Sequence, residues 1–186
     1  MKREIRVIGI DDSPFDKFKD KRVLVVGAIF KGGSAFEGIL SAKVSVDGRN
    51  STKKLTEMVN KSRFRTQLRA ILLNGIALGG FNVIDIGKLN KKTGIPVIVV
   101  IRRMPDFKKI ESVLEKLGQK SKFKLMQKAG KPVKYRKIYF QCKGIDKSAA
   151  RDILKLTCTR SLIPEPIRVA HLITSGIVEG ESRGRA

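Results

Sequence analysis

The chain has 186 residues, enough for one good hydrophobic core and too few for two of ordinary size. Its 40 Lys and Arg against 17 Asp and Glu leave a formal charge of +23, more than internal ion pairs can settle, while 41% apolar content suits a globular fold. Two cysteines make no disulfide framework and no apolar run reaches the length of a bilayer span, which argues against a disulfide scaffold and an integral membrane protein.

The first element is Arg6-Val7-Ile8-Gly9-Ile10-Asp11-Asp12-Ser13, a short β-branched apolar run stopped by two carboxylates and Pro14. It reads as a buried central strand ending in a possible metal site. Asp-Ser-Pro is also ordinary turn chemistry, so this stretch alone does not decide the matter. Residues 22–30 form a second apolar run, Lys31-Gly32-Gly33-Ser34 a turn, and residues 36–46 a third strand, so the second and third strands form a hairpin. That third strand closes at Asp47-Gly48, and Asn50-Ser51-Thr52 offers a cap for a helix through Leu55, Met58 and Val59.

Residues 70–73 read as a buried strand ending at Asn74-Gly75, and helical spacing is expected over Val83, Ile84, Ile86 and Leu89 until Gly94. Gly79 and Gly80 would let backbone approach a phosphate, and a helix start at Asn82 could receive an anion; a plain tight turn explains the glycines equally. Asp85 could replace a missing ligand, though a surface aspartate in a first helical turn is the simpler account. Residues 95–101 form a strongly apolar strand ending in Arg102-Arg103, and a helix covers about 106–117. Strand, helix, strand without a polar face marks parallel strands buried on both sides.

Residues 120–137 hold eight Lys and Arg, Lys128, Lys131 and Lys134 among them, with no acid and with Phe123 and Tyr135 interleaved. Phosphate contact with base stacking fits this pattern, and so does a lysine-blunted sheet edge or hairpin. Residues 138–142 read as a strand, Asp146 as a helix cap, and Pro166 as the opening of a last helix through His171. Residues 1–178 are expected to form a single domain and residues 179–186 a loose tail.

The assembly is a ribonuclease H-like α/β fold: a mixed sheet of three antiparallel strands followed by helix-linked parallel strands, with helices on both faces. Asp11, Asp47 and Asn74 each close a strand, so three oxygen ligands for magnesium or manganese could meet outside the strand ends, with Arg102 on a phosphate oxygen or simply solvated. Partners are expected to be DNA or RNA, with no membrane and no disulfide partner, in the cytoplasm.

Val7 to Ser13, Val46-Asp47-Gly48, Leu72-Leu73-Asn74-Gly75-Ile76-Ala77, Gly94-Ile95-Pro96-Val97-Ile98 with Arg102, and Leu162-Ile163-Pro164-Glu165-Pro166-Ile167-Arg168-Val169-Ala170-His171 occur in the order and approximate spacing of endonuclease V. The whole chain resembles that nuclease of deaminated nucleic acid and, more closely, the archaeal family called domain of unknown function ninety-nine. The resemblance puts Asp11 at a metal aspartate, Asp47 at a metal glutamate, Asn74 at a metal aspartate and Arg102 at a lysine beside the scissile phosphate. It also shows departures. The tyrosine-bearing wedge is missing ahead of Asp47, a histidine is missing around Lys143-Gly144, and His171 reads as a packing or capping residue.

Overall fold

The computed structural model describes residues 4–184, so the first three residues and the last two lie outside the description. Its frame is a seven-stranded sheet built on β1 (Arg6–Asp12), β2 (Arg22–Lys31) and β3 (Ala35–Ser45), then β4 (Leu68–Asn74), β7 (Val97–Ile101), β9 (Ile138–Lys143) and β8 (Val133–Tyr135), in the order β3-β2-β1-β4-β7-β9-β8. β1 pairs antiparallel with β2 and β2 with β3, whereas β1–β4 and β4–β7 are parallel. β5 (Ala77–Leu78) and β6 (Asn82–Val83) form a separate two-residue ladder. The expected mixed sheet is therefore present. β9 runs antiparallel to β7, because the chain reaches it through β8 and a two-residue turn with Arg136 at positive φ.

Alternation along each central strand feeds two cores. Ile8, Ile10, Ile71, Leu73, Val97 and Val99 point to one face, packed with Leu55 and Val59 of α1 (Ser51–Asn60) and Leu89 of α2 (Ile86–Thr93). Val7, Ala70, Leu72, Ile98, Val100 and Phe140 point to the other, against Ile153 and Leu154 of α5 (Lys147–Thr157) and Ile167 and Ala170 of α6 (Glu165–Glu179). This is why the strands read as continuous apolar runs rather than alternating ones. A third cluster joins Leu114 of α3 (Phe107–Lys116) to Phe123 and Met126 of α4 (Lys120–Lys128) and Val83.

Two local expectations change. The helix read from Val83 starts only at Ile86, where Asp85 caps it by accepting the Lys88 N–H at 2.9 Å. Asn82 instead lies in β6, fully buried, accepting the Ser51 N–H at 3.0 Å and donating to Ser45 O at 2.9 Å, so it pins α1 to the turn and is no anion-binding helix start. Residues 120–137 are neither one hairpin nor one edge: Phe123 and Met126 bury one face of a helix, and only 133–135 pair as a strand.

Asp106 and Asp146 cap α3 and α5. α6 opens at Glu165, with Pro166 in its first turn, and runs to Glu179. Of the segment expected as a tail, Glu179 is helical, Arg183 donates its N–H to Ser175 Oγ at 3.1 Å and Ser182 Oγ donates to Leu172 O at 2.7 Å. Cys142 and Cys158 are both free and half-buried, and burial pushes the Cys158 thiol up to about 11. Among the described residues no helix is long and apolar enough to cross a membrane.

Candidate metal and nucleic-acid site

β1 delivers Asp11 to the end of the sheet between β2 and β4, with only 3% of its surface exposed. A lone carboxylate there would be costly. It is held on both oxygens: Asn74 Nδ2 donates to Oδ1 at 3.0 Å from the end of β4, and His171 Nδ1 lies 3.0 Å from Oδ2. The neighbouring strand supplies the first partner and α6 the second. α6 reaches Asp11 because Gly9, on the same strand, presents no side chain to it; a Cβ there would fall inside the backbone of Pro166 and Ile167. The hydrogen bond to Asp11 raises the His171 pKa, against the opposing effects of burial and of the positive charge of Arg102. The remaining ring nitrogen faces Arg183 O at 3.3 Å.

Asp12 turns to the opposite face of the strand and accepts the Gly79 N–H at 2.7 Å. Burial pushes its carboxyl up to about 6, helped by the charge of Asp11 and opposed by the Gly79 bond. Below the unfolded pKa near 3.8 the group is protonated in both states and contributes nothing; between 3.8 and about 6 the unfolded chain ionises first, so stability falls as pH rises. Asp12→Asn in chelator-treated protein is therefore expected to be more stable than wild type above pH 6, by of the order of 2 kcal/mol, with the difference vanishing near pH 3.8. Denaturant midpoints across that pH range check this, and a variant less stable than wild type at pH 8 would contradict it.

Gly79 joins this corner to Asp47: its N–H serves Asp12 and its carbonyl accepts the Asp47 N–H at 2.8 Å. The Asp47 carboxylate turns away from the Asp11 pair. Oδ1 accepts the Phe81 N–H at 2.7 Å, Oδ2 pairs with Lys17 Nζ at 3.2 Å, and buried Lys122 donates from Nζ to the Asp47 carbonyl at 2.6 Å. Burial works to raise the Asp47 pKa, but the Phe81 bond and the two ammonium groups outweigh it and hold the carboxyl below its ordinary range. Asp47 sits at φ 47°, and a Cβ on Gly80 would collide with its Oδ1. The glycine pair thus admits the Asp47 carboxylate against the backbone; the space is filled from within the chain.

The two arginines after β7 line a cleft of about 850 Å³ whose other walls include Ile138, Leu162, Arg168, His171 and Leu172. A shallower basic surface beside it shares Arg102 and Arg103 and adds Lys134, Arg136 and Tyr139. Lys128 is elsewhere, in a groove between α1, α2 and α4, and Lys131 is exposed and lines neither cleft. The structure therefore unites Asp11 and Asn74 directly, brings Arg102 and Arg103 to the same cleft as His171, and links Asp47 to Asp12 through Gly79.

Among the described residues no three His, Cys, Asp or Glu side chains converge as a closed metal cage. The donors present still suit a hydrated hard cation. Asp11 uses two of roughly four lone-pair positions on its partners, and an amide and an imidazole adjoin it. Magnesium is typically held by one or two carboxylates, with water and phosphate oxygens completing its shell.

Sequence reasoning missed His171, Lys17 and Lys122 as members of this neighbourhood. A signal for His171 exists: Ile167, Ala170 and Thr174 are buried on α6, and His171 lies at helical spacing from Ile167 and Thr174, at the border of that stripe. Lys17 and Lys122 leave no such mark, since their partner Asp47 is reached by a loop.

Comparison with known proteins agrees with this fold. A UPF0215 protein of Methanopyrus kandleri is 47% identical over 193 residues, covering 100% of this chain and 98% of that protein. A crystal structure of a protein of unknown function from Archaeoglobus fulgidus, 39% identical, superposes with a TM-score of 0.89 over 95% of this chain and 100% of that one. Endonuclease V of Ciona intestinalis, solved with a 24mer DNA containing an inosine followed by a ribo-adenosine, matches with a TM-score of 0.62 at 15% identity, over 96% of this chain and 87% of that one, which shows a common fold. The family model described as Endonuclease dU spans residues 3–178, and the chain belongs to that family.

Proposed function

We propose that this protein is a divalent-metal-dependent endonuclease that cuts DNA at a deaminated base, with deoxyuridine, the nucleoside in its family's description, as the first candidate. The observation that carries the reading is the buried Asp11, anchored by Asn74 and His171 beside an arginine-lined cleft. Asp11 would hold magnesium or manganese, with Asn74 and His171 beside it. Bound there, the ion supplies Lewis acidity and a more acidic water for attack on a phosphodiester. The residues of the chain do the rest. Asn74 and His171 fix the rotamer of Asp11, and His171 can hold or release a proton at Nδ1 as Asp11 changes its charge environment. Arg102 would bind a phosphate oxygen, and the cleft wall of Ile138 and Leu162 gives an extruded base an apolar surface to rest on.

A second reading, a nucleic-acid-binding module without catalysis, has one specific support. Asn74 is a neutral donor to Asp11 and Lys17 neutralises the Asp47 carboxylate, so the corner has less free negative charge than three carboxylates would give. Incubating the protein with duplexes carrying uracil, inosine or neither, with magnesium or manganese, separates the two. Metal-dependent cleavage next to the deaminated base is expected. Salt-sensitive binding without any cleavage would favour the second reading. His171→Gln is expected to slow cleavage by about 10–100-fold, the usual effect of losing a partner that orients a ligand; an unchanged rate would remove His171 from the site.

A further inference from the structure

The groove between α1, α2 and α4 is separate from the cleft of His171, and nothing in the proposed chemistry uses it. Seven cations from four segments line its space of about 760 Å³: Arg49 after β3, Lys53 of α1, Lys88 and Lys92 of α2, and Lys122, Lys124 and Lys128 of α4. Two acids share the wall and both are engaged, Glu57 near Lys53 and Lys54 at 4.0 and 3.8 Å, and Asp85 as the cap of α2. Among the described residues Arg49, Lys88, Lys92, Lys124 and Lys128 form no ion pair. Concentrating like charge in a concave surface opposes folding unless a polyanion relieves it. The groove has no aromatic lining residue, so it offers phosphate contacts without base stacking, which suits the backbone of a duplex more than an unstacked strand. At its inner end Lys122 grips the carbonyl of Asp47, and the 79–81 turn joins Asp47 to Asp12.

We propose that this groove is a track for the phosphate backbone of duplex DNA flanking the reactive nucleotide. The inference rests on the nuclease reading above, and its test keeps the two apart. Fluorescence anisotropy would follow binding across a salt series for a short uracil-containing duplex and one extended by a helical turn on each side. Wild type would be compared with K53Q/K88Q/K92Q/K124Q and with a control of equal charge loss outside the groove, K91Q/K108Q/K116Q/K155Q. The groove variant is expected to lower the salt slope for the long duplex by about 3 units, near one per lost phosphate contact, and to leave the short duplex unchanged. Equal slopes for groove and control variants, or a fall shared by both duplexes, would overturn the track. Absence of salt-dependent binding by wild type to either duplex would overturn the nuclease reading together with it.

Discussion

Replacing Asp11 by Asn is expected to abolish metal-dependent cleavage while the protein stays folded. Asn is close in shape and can still meet Asn74 and His171, so the β1–β4–α6 corner keeps its packing, but the buried charge that would hold a cation is gone. The charge stabilisation a metal supplies to a phosphodiester transition state is worth several kcal/mol, so the loss is expected near 10³-fold or more. Single-turnover cleavage rates of wild type and variant, with thermal unfolding of both in chelator, check this. A variant that cuts within tenfold of wild type would take Asp11 out of the chemistry, however well it is placed.

Gly9→Ala is expected to damage the fold and the site together. The position is in the middle of β1, where α6 crosses so closely that a methyl group would overlap the backbone of Pro166 and Ile167. Backbone cannot swing aside as a flexible side chain can, so α6 must lift along the strand. Forced overpacking of this kind costs roughly 3 kcal/mol, equivalent to a fall in Tm of about 6–12 °C for a chain of this length. Because α6 carries His171, the same displacement stretches the 3.0 Å contact with Asp11. Activity measured well below the Tm should therefore fall more than the folded fraction does. Leu72→Ala, on the same face of the neighbouring strand, is the comparison: it costs a similar 2–5 kcal/mol through a cavity without pushing the helix away, so its activity should track the folded fraction. Equal activity losses in the two variants at matched stability would contradict the idea that Gly9 sets the position of His171.

The central sheet was legible because its strands are buried on both faces: β1, β2, β4 and β7 appear as largely apolar runs, and Asp11, Asn74 and Arg102 fall at or next to the ends of β1, β4 and β7. The family motifs carried the fold further than local pattern could, since no periodicity shows that β1 lies between β2 and β4. The site was legible only where it is built from strand ends. Asp11 and Asn74 meet because their strands are hydrogen-bonded neighbours, whereas β2 stands between β3 and β1, so the strand end before Asp47 is not a neighbour of Asp11. Asp47 comes back through a loop contact to Gly79, with Lys17 and Lys122 on it, and such contacts leave no pattern in sequence. His171 lies 160 residues from Asp11, and a lone histidine on a helix reads as packing until the crossing of α6 over Gly9 is known. The basic stretch 120–137 misled in a different way. Its charge is real, but helix geometry and the turn at 129–132 send Lys128 and Lys134 to different surfaces.

The most direct test of the nuclease reading is where a cation binds when substrate is present. Crystals of the protein grown with a uracil-containing duplex and manganese would be examined for anomalous scattering. The account predicts a manganese peak within about 2.2 Å of an Asp11 carboxylate oxygen and in contact with a phosphate of the duplex. A well-ordered duplex whose only manganese lies away from Asp11, or no manganese at all, would contradict it and leave this corner of the sheet as a structural junction.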